Sequence, residues 1–210
     1  MRERTDINDV AQAMQRYYAV QSYVYDATRW AYLFGRSDVV ASIPGDVIAP
    51  YSILEIGCGT GFTLRALAHR FPNASITAYD ASSHMVQRAR QAVRSFGARV
   101  QVRHAPYKGD EAQSYDIVLM SYSLSMMQPF EDNVLASVAR DLRPGGVIAV
   151  VDFESTQWSL FRSAMAANHV RMDGFMMPLL SSRFRCIDQR RRSAYGGLWN
   201  YLTFIGRNDA

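Results

Sequence analysis

Cysteine is nearly absent from this 210-residue chain; there are two, Cys58 and Cys186. Two cannot build a disulfide framework, and they fit a reducing compartment. No His/Cys set has metal-ligand spacing, which predicts that no metal is bound. The apolar runs fall far short of the ~20 residues that a membrane-spanning helix requires. No basic start, apolar stretch and small-residue cleavage site opens the chain, so a cytoplasmic protein is expected. Repeats, low-complexity tracts and flexible linkers are also lacking. What is there is an ordinary globular composition, 49% hydrophobic and 20% charged, long enough for one domain with a sizeable core. The basic residues are almost all arginine and leave a formal net charge of +4. Arg183, Arg185 and Arg190-Arg191-Arg192 are their one dense cluster. That cluster reads either as a solvated strand face or as a contact for an anionic membrane. With no recognised binding motif beside the charge, no nucleic-acid partner is expected.

The most informative stretch is Leu54-Glu55-Ile56-Gly57-Cys58-Gly59-Thr60-Gly61. An apolar lead-in from Tyr51 to Ile56 reads as a buried strand, and three alternating glycines then turn tightly into a helix. Glycine lets the backbone approach a ligand closely because no Cβ intervenes. The spacing is G-x-G-x-G, not the dinucleotide G-x-G-x-x-G, and Phe62 stands where the third glycine of that fingerprint would be. Glu55 before the turn would repel a pyrophosphate. It suits a ligand carrying positive charge, such as the ammonium and sulfonium of S-adenosylmethionine. Ser75 to Tyr79 reads as the next strand, closed by Asp80 about 20 residues beyond the glycine turn, the spacing of a ribose-binding carboxylate. Ala81 and Met85 follow, placed to lie beside an adenine ring, although Met85 also belongs to a helical apolar stripe with Val86, Ala89, Val93 and Phe96. Cys58, inside the turn, reads as a small space-filler.

Strands and helices alternate through the middle of the chain. Helices are expected over Thr63 to Phe71, ended by Pro72, over Ser83 to Phe96, capped by Gly97, and over Val134 to Leu142. Strands are expected over Val100 to His104, Tyr115 to Met120 and, after the turn Pro144-Gly145-Gly146, Val147 to Val151. This alternation implies an α/β, doubly wound, parallel sheet of Rossmann-like type with right-handed crossovers. Ligands then bind at the carboxyl ends of the strands, so Glu55, Asp80, His104, Ser121 and Asp152 should line one rim. Outside the alternation lie an aromatic-rich helical region, Ile7 to Phe34, and a terminal antiparallel pair, Arg183 to Asp188 with Leu198 to Arg207, around Gly196-Gly197. We divide the chain into an N-terminal helical lid, residues 1–50, and a cofactor-binding core, residues 51–210.

The glycine loop, Asp80, the strand Tyr115-Asp116-Ile117-Val118-Leu119-Met120 and Leu142-Arg143-Pro144-Gly145-Gly146 together resemble the class I S-adenosylmethionine-dependent methyltransferases. The resemblance spans roughly residues 51 to 152. It implies a seven-stranded, mostly parallel sheet whose last strand is antiparallel, with S-adenosyl-L-methionine as cofactor and S-adenosyl-L-homocysteine as product. Many members carry an acid after the third strand to bind adenine. Here the stretch is His104-Ala105-Pro106-Tyr107, which leaves the adenine amine to backbone carbonyls. Tyr23 to Arg36 (Tyr-Val-Tyr-Asp-Ala-Thr-Arg-Trp-Ala-Tyr-Leu-Phe-Gly-Arg) is similar to the start of the betaine-lipid N-methyltransferases, and Leu198 to Arg207 to their closing strand. That likeness implies trimethylation of the headgroup amine of diacylglyceryl homoserine.

Methyl transfer from a sulfonium to an amine is an in-line displacement in which proximity and orientation carry much of the rate. The amine can lose its proton to water, so no dedicated base is required. A quaternary ammonium product is favoured by aromatic faces, for which Tyr25, Trp30, Tyr122 and Tyr195 are candidates. We assign Tyr122, Tyr25 and Trp30 to the reacting centre. The cofactor would be held by Tyr25, Arg36, Glu55, Gly57, Cys58, Gly59, Gly61, Asp80, Ala81, Met85, His104, Ala105 and Ser121, with Tyr25 and Arg36 on its carboxylate. His104 also reads as a proton acceptor or as a purely structural histidine. Asp26 and Arg29 read as a local helix pair. The N-terminal helix, with Val10, Met14, Tyr17, Tyr18, Arg4 and Arg16, reads as a lid or an interfacial helix, giving peripheral contact with an anionic membrane. Open alternatives are a same-fold enzyme acting on phosphatidylethanolamine or a soluble amine, and a non-catalytic protein that keeps the cofactor pocket as the partner of an enzyme. A dinucleotide-dependent reductase is disfavoured by Glu55 and the glycine spacing.

Overall fold

The computed structural model describes residues 32–109, 112–167 and 170–209. Its strands are β1 (Ser52–Ile56), β2 (Ser75–Asp80), β3 (Val100–His104), β4 (Tyr115–Ser121), β5 (Leu142–Ser155), β6 (Arg185–Ala194) and β7 (Trp199–Arg207). They form one sheet in the order β3-β2-β1-β4-β5-β7-β6. Pairing is parallel from β3 through β5, whereas β7 runs antiparallel to both β5 and β6. This is the seven-stranded, doubly wound arrangement, with its last strand reversed. The helices are α1 (Arg36–Ser42), α2 (Phe62–Arg70), α3 (Ser83–Val93), α4 (Glu131–Asp141), α5 (Ser159–Ala166) and α6 (Met176–Arg183).

Strand alternation explains why both faces of the sheet are covered. Ile53, Ile117, Leu119, Ala149 and Val151 point into one apolar cluster with Leu64, Leu67 and Val86 of α2 and α3. Their neighbours Leu54, Ile56, Val118, Met120 and Val150 point into a second cluster with Leu135 and Val138 of α4 and Leu180 of α6. Successive side chains of a strand face opposite ways, so a strand buried on both sides reads as a continuous apolar run. Each fully buried Leu, Ile or Phe contributes ~1.5–3 kcal/mol.

Several boundaries differ from the sequence reading. The helix expected to reach Phe96 ends at Val93, and a 3₁₀ stretch, Arg94–Arg99, follows with Gly97 at φ 63°, ψ −151°. Arg99 fastens that stretch by donating to the carbonyls of Ala68, Phe71 and Ala74. The fourth helix starts at Glu131, not Val134. The Pro144-Gly145-Gly146 turn is a bulge inside β5; Leu142 pairs with Tyr115 and Val147 with Ile117, and the residues between loop out. Arg183 closes α6, and the strand read as Arg183 to Asp188 is instead Arg185–Ala194. The apolar anchors Met176 and Leu180 draw residues 176–183 into a helix against β7.

The arginine cluster is neutralised in place. Arg183 pairs with Asp132, Arg185 with Asp209, Arg190 with Asp188, Arg191 with Glu154 and Arg192 with Asp38, at 2.7–3.1 Å. Each arginine of the cluster therefore has an acidic partner, which favours the strand-face reading over an open patch for anionic lipid.

Candidate active site

The carboxyl ends of β1, β2 and β4 frame the glycine turn. Gly57, Gly59 and Gly61 all have positive φ, at 74°, 54° and 83°, the region that L side chains rarely adopt. A Cβ on Gly57 would stand 2.5 Å from Cβ of Ser123, and one on Gly61 3.0 Å from Cα of Ala89. The first glycine thus admits the loop after β4, and the third lets α2 approach α3. Gly57→Ala is expected to combine left-handed strain with that overlap and cost about 2–4 kcal/mol. Urea unfolding of the variant checks this.

Asp80 closes the turn from below. Its Oδ2 accepts the Gly59 N–H at 2.8 Å and its Oδ1 the Ser82 N–H at 2.9 Å. Gly57 and Cys58 N–H groups donate to the Tyr79 carbonyl. The turn is therefore shaped by β2, through the Asp80 carboxylate and the Tyr79 carbonyl.

Glu55 lies behind the turn, fully buried. The Thr63 hydroxyl donates to its Oε1, while Oε2 has no hydrogen-bond partner among the described residues. Burial pushes the Glu55 carboxyl up to about 8, against the Thr63 hydrogen bond and with a smaller push from the Asp80 charge. Burial, then the Glu55 and Asp80 charges, raise the Cys58 thiol as well, so it stays protonated and unreactive. A buried acid with no counter-charge among the described residues, next to a glycine cradle and a carboxylate, is the donor set that a ligand bearing both a ribose and a positive charge requires. The residues fit the S-adenosyl cofactor.

A cavity of about 180 Å³ opens beside the turn. Gly57, Gly59 and Asp80 form one end, Ala81 and Met85 a wall, and Ala105 to Lys108 the facing loop. Tyr122, Ser123 and Met126 form the side under β4, and α4 contributes Asn133, Val134 and Ser137. Of the residues assigned from sequence, the structure brings together Gly57, Gly59, Asp80, Ala81, Met85, Ala105 and Tyr122 on this lining. Glu55, Cys58 and Gly61 stand behind it. Ser121 ends β4 one residue short of it. His104 fastens the end of β3, its Nε2 lying 3.1 Å from the Ala81 carbonyl oxygen. Arg36 donates to the Leu33 carbonyl and stacks on Phe62, 4.1 Å from the ring centroid, at the start of α2. Tyr25 and Trp30 lie outside the described residues, as does most of the expected lid.

Tyr122 sits at φ 53°, a left-handed backbone that a tyrosine adopts only where the surroundings impose it. Its N–H donates to the Val151 carbonyl and its hydroxyl to the Phe34 carbonyl, both at 2.8 Å. Burial, with the Asp152 charge, pushes the phenol well above its usual range. Tyr122 therefore presents a neutral ring. That ring opens an aromatic run along the rim. Tyr122 packs edge-on to Phe153 at 4.7 Å, Phe153 pairs with Tyr201, and Tyr201 stacks with Phe34 at 6.0 Å. Phe34 meets Tyr195 and Trp199, and Trp199 stacks on Phe161 of α5.

Sequence reasoning missed Ser123, Met126 and the α4 wall. Ser123 donates to the Ile56 carbonyl at 2.8 Å, and Asp152 holds the next turn by accepting the Ser125 hydroxyl at 2.6 Å and its N–H at 3.1 Å. Burial pushes Asp152 up to about 6 against those hydrogen bonds. A loop directly after a strand's carboxyl end was the available signal. The α4 residues carry no signal, because their pattern is that of any amphipathic helix.

Residues 53–146 match the family model of a methyltransferase domain. The chain is similar to methyltransferase GfsG of Streptomyces halstedii, 34% identical over 114 residues, covering 51% of this chain and 39% of that protein. It is also similar to the trans-aconitate 2-methyltransferase of Deinococcus radiodurans, 33% identical over 118 residues, covering 54% and 41%. These matches span about two fifths of the length of the curated relatives. Among solved structures it is similar to the 1,6-didemethyltoxoflavin-N1-methyltransferase of Burkholderia thailandensis, solved with S-adenosylhomocysteine (TM-score 0.73, 17% identity, covering 99% and 92%). A second is phospholethanolamine N-methyltransferase 2 of Haemonchus contortus (TM-score 0.74, 15% identity, covering 93% and 60%). The sheet order and the glycine cradle with its buried acid agree with this match: residues 53–146 form a methyltransferase domain with the donor set of an S-adenosylmethionine site.

Proposed function

We propose that the protein is an S-adenosylmethionine-dependent N-methyltransferase that converts diacylglyceryl homoserine to diacylglyceryl trimethylhomoserine. The observation that carries the reading is the Tyr122 ring on the cavity lining, from which the aromatic run to Phe161 starts, because an aromatic face favours a quaternary ammonium by about 0.5–2 kcal/mol when desolvated. The run leads to exposed apolar side chains: Tyr195 is 59% exposed, Trp158 62% and Leu160 86%. A substrate with acyl chains suits such a margin. Trans-aconitate, named for several relatives, is a tricarboxylate, and among the described residues the cavity lining offers it one cation, Lys108.

When bound, the cofactor supplies an electrophilic methyl on a sulfonium. Asp80 would hold the ribose hydroxyls, Glu55 would provide negative potential behind the turn, and Arg36 would take the carboxylate, the role that the sequence also gives Tyr25. Tyr122, on the cavity lining, would face the amine and exclude water, the role that the sequence also gives Trp30. The raised Tyr122 phenol does not act as a base, so the amine reaches the site already neutral. The membrane contact is peripheral and apolar, through the Trp158–Leu160 margin; among the described residues no helix is long and apolar enough to cross a membrane.

The test is incubation of the protein with S-adenosylmethionine and vesicles containing diacylglyceryl homoserine, followed by mass spectrometry of the lipids. A gain in methyl steps on that lipid is expected; methylation of phosphatidylethanolamine or a soluble amine instead would overturn the substrate. Trp158→Ala with Leu160→Ser should lower transfer to vesicle-borne lipid about tenfold, since two apolar contacts are lost, and leave S-adenosylhomocysteine binding unchanged in calorimetry.

A further inference from the structure

Adenine recognition is the unassigned part of the cavity, because Ala105 to Lys108, the part of the loop after β3 that lines it, carry no acid. Asp80, the one carboxylate on the lining, already accepts two backbone N–H groups at the glycine turn. Pro106, in the facing loop, has no N–H to offer a ring nitrogen. Most other polar side chains on the lining are engaged. The Tyr107 hydroxyl donates to Asp141 at 2.8 Å, the Ser123 hydroxyl to the Ile56 carbonyl, and the Tyr122 hydroxyl to the Phe34 carbonyl. Arg140 donates to Ser137 at 2.9 Å, and Arg103 to the Tyr79 hydroxyl at 2.6 Å. Lys108 is a donor only.

Asn133 stands apart. It lines the cavity from α4, one turn before Ser137, and it is the carboxamide on the lining, with neither its donor nor its acceptor in a hydrogen bond among the described residues. We infer that the Asn133 carboxamide reads the adenine edge of the cofactor, its Oδ1 accepting from the N6 amine and its Nδ2 donating to N1. A carboxamide matches this donor–acceptor edge at two points, as it does on adenine in nucleic acids. A carboxylate in the same place would meet only the amine. The lining also supplies the apolar side chains of Ala81, Met85 and Met126 for the faces of such a ring. The inference rests on the S-adenosyl reading of the cavity and is independent of the lipid substrate.

The test is a cycle pairing a ligand change with a side-chain change, read by calorimetry. S-adenosylhomocysteine and its 6-deamino purine analogue are titrated into the wild-type protein, Asn133→Ala and Asn133→Asp. Loss of the amine should weaken binding to wild type about three- to tenfold, the range of one neutral hydrogen bond. Asn133→Ala should bind both ligands within twofold of each other, while Asn133→Asp, which keeps an acceptor, should still prefer the amine. Asn133 is exposed on α4 and outside the apolar core, so thermal melts of the variants should match wild type. Equal cost of the amine in wild type and Asn133→Ala overturns the inference. Failure of wild type to bind either ligand overturns the S-adenosyl reading with it.

Discussion

Asp80→Ala is expected to weaken S-adenosylmethionine binding about a hundredfold or more, beyond the range of routine calorimetry. Two hydrogen bonds from ribose hydroxyls to an ionised carboxylate are worth about 1.5–3 kcal/mol each, and about 3 kcal/mol in total already gives that factor. A second cost adds to it. Asp80 holds the Gly59 and Ser82 N–H groups at 2.8 and 2.9 Å, so alanine also leaves the turn unbraced, and the melting temperature should fall. Asp80→Asn separates the two effects, because its amide oxygen still accepts one backbone N–H while the negative charge is gone. It should recover much of the melting temperature and little of the affinity. Methyl transfer at full rate by Asp80→Ala would show that the ribose is held elsewhere.

Glu55→Gln should act in opposite directions on stability and binding. The folded chain keeps Glu55 protonated up to about pH 8, whereas its ordinary value is 4.5. Between those limits the folded state binds a proton that the unfolded state has released, so the stability contribution of Glu55 falls as pH rises from about 4.5 to about 8 and levels off above. By pH 7 this amounts to about 3 kcal/mol at 1.36 kcal/mol per pH unit. Glutamine accepts the Thr63 hydroxyl without that loss, so the variant should be more stable than wild type near neutrality and equal to it near pH 4. Denaturant unfolding at several pH values checks the divergence. The gain comes with weaker cofactor binding, since glutamine provides no negative potential behind the turn. In wild type, a ligand with positive charge favours ionised Glu55, so binding at pH 7 should release a proton, visible as a buffer-dependent calorimetric heat. A binding heat independent of buffer would mean that Glu55 does not couple to the ligand.

Much of the sheet was legible because its strands are buried on both faces. Tyr115 to Met120 reads as an interior strand because its six consecutive residues carry one charge, the half-buried Asp116 near its start, and that charge is met by Arg143 at 2.7 Å. The glycine turn and Asp80 were legible for a different reason: the backbone conformation and spacing leave few residue choices. Legibility failed where tertiary packing decides. Residues 159–183 alternate polar and apolar side chains without a sustained period, and what makes helices of them is contact with β7 and with Trp199. The far wall of the cavity was invisible because Asn133 and Ser137 are distant in sequence from the glycine turn and come to the site only through the β4–α4 crossover. His104 shows the converse. It ends a strand on the rim, yet it ties to the Ala81 carbonyl, a side-chain orientation that strand position alone does not determine.

The place of β7 in the sheet bears on how the chain is made. β6 has one neighbour, β7, which lies between it and β5. During synthesis, Arg185–Ala194 therefore leaves the ribosome before the only strand it can pair with, and for the time needed to add residues 195–207 it is an unpaired strand in a crowded solvent. Its arginines are what a waiting edge needs, because like charges resist pairing between nascent chains. The acidic partners of its Arg192 and Arg191, Asp38 and Glu154, precede it in the chain. They are already in the growing polypeptide to receive the strand once β7 has carried it home.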